Sequence, residues 1–108
     1  MEARAARRRG IGGRLERALI ASAASCTVTA AVIEANQVPW ASATFSGARH
    51  RLTIASADTP GAAAWLAALP EIELPIAGHL VADLHVAAVT RAGGSLHAML
   101  DVLTVEEC

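Results

Sequence analysis

The chain has no tyrosine, one phenylalanine and two tryptophans in 108 residues, so its core must be built from aliphatic side chains. Much of the 54% apolar fraction is alanine, which leaves leucine, isoleucine and valine to do most of the burying and predicts a thin core. The same shortage counts against a nucleic-acid surface, where a basic face interleaved with aromatics is needed, and no sequence-specific nucleic-acid binding is expected. The two cysteines, Cys26 and Cys108, are too few and too far apart for a disulfide framework or a zinc motif, and a reducing compartment is the default. No apolar run approaches the roughly 20 residues of a membrane-spanning helix. Catalytic signatures are missing too: there is no Gly-x-Ser-x-Gly elbow and no His-x-x-x-His pair. Gly10-Ile11-Gly12-Gly13 follows no strand and lacks the Lys-Ser/Thr of a phosphate loop. No enzymatic activity and no cofactor is expected.

One domain is expected at this length, with a core small enough for neighbours to add to its stability. Charge is spread unevenly along it. Residues 1–17 hold six arginines against Glu2 and Glu16, a balance of +4, whereas the remainder holds three arginines against eight acids, a balance of −5. Because Gly10, Gly12 and Gly13 interrupt helix formation, residues 1–13 read as a flexible basic arm and 14–108 as a single folded domain. The arm's charge suits a solvated tail, or contact with an acidic neighbour or nucleic acid. Arg7-Arg8-Arg9 ahead of Ala18 to Cys26 also imitates a lipoprotein signal. The intervening apolar run is short, mostly alanine and serine, with Glu16-Arg17 at its edge, and this makes a poor export signal.

Periodicity supplies the elements. Leu15, Leu19 and Ile20 predict a short one-sided helix over 14–25. The β-branched residues among 27–33 predict a strand, closed by turn-prone residues 36–39. A second strand over 48–57 alternates Leu52 and Ile54 with Arg51 and Thr53. Asp58-Thr59-Pro60-Gly61 starts a helix, with Asp58 or Thr59 as cap, and residues 62–69 continue it with Trp65, Leu66 and Leu69 buried. Pro70 limits that helix, and Pro75 and Gly78 punctuate the loop after it. Residues 80–90 and 96–104 form a hairpin around Arg91-Ala92-Gly93-Gly94. Pairing Leu80, Leu84, Val86 and Ala88 with Leu96, Ala98, Leu100 and Val102 requires an odd loop of three or five residues, with Gly93 or Gly94 at positive φ. The order αββαββ predicts an α+β two-layer sandwich: one mainly antiparallel four-stranded sheet with two helices on one face, as in a circularly permuted ferredoxin-like fold.

The four histidines are the only obvious ligand or base candidates. In the expected register Asp83, His85, His97 and Asp101 share the polar face of the hairpin, where two imidazoles and two carboxylates could hold a divalent metal. An ordinary polar face or a subunit contact is the preferred reading, since nothing closes a ligand set, and no metal is expected. His50 points away from Arg49 and Arg51 to the side of Leu52, and His79 after Gly78 suits a turn hydrogen bond.

One pattern remains. Trp40, Ser42 and Thr44 are followed by Gly47-Ala-Arg-His50-Arg51-Leu52-Thr53, then Gly78-His79-Leu-Val81, Arg91-Ala-Gly-Gly94-Ser-Leu-His97, and Thr104-Val-Glu106. In order and spacing this resembles the tail-completion, or tail-terminator, proteins of long-tailed bacteriophages and gene transfer agents. The resemblance implies a small α+β protein without catalytic residues, assembled as a homo-oligomeric hexameric ring. Such a ring caps the tail tube, stops polymerisation of the major tail-tube protein and meets the head-tail connector at the neck. It also implies residence in the bacterial cytoplasm during assembly and then in the virion or gene transfer agent particle. Arg49, His50, Arg51, Arg91, Gly93, Gly94 and His97 are the contact candidates under this reading. A different class, a small ferredoxin-like regulatory or ligand-binding module acting as a dimer, is the alternative.

Overall fold

The first helix sets the extent of the core. In the computed structural model, which describes residues 10–107, α1 runs from Ile11 to Ser25. It therefore starts inside the segment expected to be arm. Gly12 and Gly13 are buried with Leu15, Leu19 and Ala23, so packing overrides the low helix propensity of glycine. The rest of the expected arm, residues 1–9, lies outside the described residues. Leu15 and Leu19 are fully buried in the core, so a signal-like cleavage before Cys26 would remove part of that core.

The strand expected over 27–33 starts late, because residues 27 and 28 finish the helix instead. Thr27 takes φ 61°, a rare conformation for a β-branched residue, while its N–H donates to Ala24 O at 3.0 Å and the Val28 N–H to Ala23 O at 2.8 Å. Strand β1 is Ala31–Ala41 and continues straight through residues 36–39, where a turn was expected. β1 is an edge strand, where a proline without an N–H is tolerated, and Pro39 pairs with Ala48. The turn comes later, at residues 42–45, where the Ser42 N–H donates to Phe45 O at 2.7 Å and the Phe45 N–H to Ser42 Oγ at 3.1 Å.

Strand β2 is Ser46–Ala57. Helix α2, Pro60–Ala68, is capped by Thr59, whose Oγ1 accepts from the Ala62 N–H at 3.1 Å, with Pro60 in the first turn. Asp58 does not cap the helix. Its N–H donates to Gly94 O at 2.9 Å and its carboxylate receives Arg91 Nε at 3.2 Å, tying this corner to the hairpin tip. A short 3-10 turn, Leu69–Glu71, follows. Strands β3, His79–Ala92, and β4, Ser95–Glu106, complete an antiparallel sheet in the order β1-β2-β4-β3. This is the arrangement of a ferredoxin-like βαββαβ sheet whose first strand has been moved to the chain's end.

The two helices cover one face of the sheet. Beneath them lie Leu52 and Ile54 of β2, Leu96, Ala98, Leu100 and Val102 of β4, and Leu84 of β3, packed with Trp65, Leu66 and Leu69. Trp65 Nε1 donates to Ser22 Oγ at 3.1 Å, joining α2 to α1. The β3–β4 loop has only two residues, not the odd number expected, and both Gly93 (φ 59°) and Gly94 (φ 79°) lie in the left-handed region. The missing odd residue sits in the strand. Register shifts between Val81 and Asp83 and between Val86 and Ala88 each insert one extra residue into β3. Leu84 and Val86 still oppose Val102 and Leu100, but Leu80 and Ala88, expected on the apolar face, pair with Val105 and Met99 on the other. Leu80 is 55% exposed as a result.

Candidate interaction surface

Residues far apart in sequence meet at one end of the sheet. Gly47 faces β4 so closely that a Cβ there would lie 1.9 Å from Thr104 O and 3.0 Å from Trp40 Nε1. Only glycine fits that approach without moving backbone. On the helix-covered face the His50 ring pairs with Thr104 Oγ1 at 2.9 Å, and Thr104 Oγ1 donates to Ala48 O at 3.4 Å. His50 is 4% exposed and Thr104 is fully buried, so each satisfies the other's polar atom in the core. Burial pushes the His50 imidazole down to about 4, and nearby His79 adds to the effect. Ser46 Oγ donates to Glu106, which pairs across the sheet with His79. Gly78 at φ 78° closes the corner, with its carbonyl accepting from the Glu107 N–H at 2.9 Å. His79 Nδ1 lies 3.4 Å from Ala77 O, in keeping with the expected turn contact.

The face turned away from the helices is polar at its centre. Arg51 Nε and Nη2 donate to both oxygens of Asp101, at 2.7 and 2.9 Å, and His85 Nε2 lies 3.3 Å from Asp101 Oδ2. These three side chains form one row across β2, β4 and β3, since Arg51 and His85 both pair with Asp101. The Arg51 hydrogen bonds hold the Asp101 carboxyl below the usual carboxylate range, against a smaller opposing effect of burial. Beside the row a hollow of about 200 Å³ is lined by Asp83, His85, Asp101 and Arg49 among others. His97 stands apart: it pairs with Thr90 and Ala55, four positions along β4 from Asp101. The Asp83, His85, His97 and Asp101 set therefore does not converge, and among the described residues no group of three His, Cys, Asp or Glu side chains is arranged to hold a metal.

The seven contact candidates fall into two places and an interior. Arg49 and Arg51 are exposed on the open face; Arg91, Gly93, Gly94 and His97 are exposed toward the hairpin tip. His50 belongs to the core, so the surface does not present it. Sequence reasoning missed Thr104 as the partner of His50, because nothing local to either residue signals a contact across two strands. It also missed a groove of about 620 Å³ between residues 70–77 and the edge strand β3. Its signal was present in Ile72, Leu74 and Ile76, whose alternation marks an extended, half-buried segment where only loop punctuation was read.

The fold and this surface define a class, a small antiparallel α+β sandwich with one open sheet face. No family model, curated protein or solved structure matches the chain. No helix among the described residues is long and apolar enough to cross a membrane.

Proposed function

We propose that the chain is a structural particle protein, a tail terminator that forms a ring on the finished tail tube and joins it to the head-tail connector. The observation that carries this reading is the gathering of seven of the pattern residues at one end of the sheet, while Arg91, Gly94 and His97 lie at the hairpin tip. Trp40, Gly47, His50, Gly78, His79, Thr104 and Glu106, scattered over the sequence, build one corner of the sheet through a close backbone approach, a buried histidine–threonine pair and a cross-strand pairing. A spacing pattern with such a physical cause is one that a family sharing this fold would repeat. The open face and the two edge strands add support, because ring closure covers edges that an isolated sheet leaves unpaired.

Light scattering at high concentration tests the proposal. The expected mass exceeds that of the 11.1 kDa monomer, or rings form once tail-tube protein is added. A strict monomer that neither binds tube protein nor limits tube length would overturn it. The second reading, a ferredoxin-like module acting as a dimer, is favoured by the permuted strand order and predicts a dimer indifferent to tube protein.

A further inference from the structure

We propose that the arginine-bearing segment 1–9 of this chain docks along the open edge of β3, in the groove beside residues 70–77. The groove has an apolar floor that includes Leu74, Ile76 and Leu84, all buried. Among the described residues its lining carries three acids, Glu73, Asp83 and Glu107, and no lysine or arginine. β3 is the last strand of the sheet, and beyond the single bridge between Ile76 and His79 its outward edge has no strand partner among the described residues. Such an edge offers backbone donors and acceptors to any extended segment that reaches it.

Charge and reach select the occupant. Segment 1–9 carries Arg4, Arg7, Arg8 and Arg9 against Glu2, opposite in sign to the groove. It joins the described chain at Gly10, and one helical turn later Arg14 Nη1 donates to Ala77 O at 2.9 Å, in the wall of the groove. The segment therefore begins beside its site. Nine extended residues reach roughly 30 Å, whereas the stretch of β3 from residue 79 to 84 needs about 20 Å. The bulges in β3 favour a short occupant, because a segment along residues 79–84 meets only the bulge at 81–83, whereas a long strand from a second copy would find its register broken twice. Main-chain hydrogen bonds fix the added strand, and charge-assisted hydrogen bonds from arginine to the acids set its preference.

Hydrogen exchange on the full chain tests this, and it does so independently of the tail-terminator reading, since a free monomer shows the effect. Replacing Arg4, Arg7, Arg8 and Arg9 together by Glu should speed exchange of the outward amides of residues 80–86 by about tenfold or more. Glu73→Arg with Glu107→Arg should do the same, and combining both sets should restore slow exchange. Unchanged exchange in the arginine variant overturns the proposal, whatever the groove variant does to folding. Protection that returns only when the two variants are mixed also overturns it as stated, by showing that the groove takes the segment of a neighbouring copy.

Discussion

Successive residues of β4 alternate between two environments that are held together in different ways. Ala98, Leu100, Val102 and Thr104 lie buried under the helices, whereas His97, Met99, Asp101 and Leu103 face away from them. The covered face depends on apolar area and on one satisfied polar pair, His50 with Thr104. The open face carries an exposed ion pair, Arg51 with Asp101, that salt screens. One sheet thus has a face that resists substitution and a face free to adapt to a partner.

The largest expected break in that comparison comes from paired truncations. Leu100→Ala should cost about 2–5 kcal/mol, while Leu103→Ala, three residues away on the open face, should cost about 1 kcal/mol or less. Denaturant midpoints measure both, and equal losses would erase the distinction. A pH series sharpens it next. His50 titrates near 6.5 when unfolded and at about 4 when folded, so the unfolded chain binds the extra proton between those values. The contribution is complete above pH 6.5, is lost as pH falls toward 4, and is flat below, an effect on the order of 3 kcal/mol at about 1.4 kcal/mol per pH unit. The His50→Gln variant should lose most of this slope; a slope that persists would assign it to another group.

Gly47→Ala should destabilise by about 1–3 kcal/mol, because the added methyl meets Thr104 O and β4 backbone must move. An unchanged thermal midpoint would show that the corner is looser than its geometry. The smallest effect belongs to Arg51→Gln. Its ion pair with Asp101 is exposed, so stability should change little, and less still in high salt. A large, salt-insensitive loss would mean that the open face also holds the fold together.

Legibility followed the range of the interaction. The alternation of Leu52 and Ile54, the Thr59-Pro60 helix start and the burial of Trp65 and Leu66 were readable because each depends on residues within a few positions. The contact candidates were less so: strand parity put His50 on the side of Leu52, yet it was grouped with Arg49 and Arg51 as a contact, and its partner in the core lies 54 residues away. The metal-like set failed to converge for a related reason. Sharing a face does not place His97 beside Asp101 when three residues of strand lie between them.

By itself the sequence determined the element order αββαββ, the apolar stripes of β2 and β4 that face the helices and the glycines at the β3–β4 turn, all through local sterics and periodicity. The tertiary structure decided where the parity of β3 breaks, since each bulge exists only against a partner strand. It also decided that Pro39 sits within an edge strand and that His50 is satisfied by Thr104. These outcomes turn on which strand becomes a neighbour, and strand neighbourhood is set when the whole sheet closes over one core.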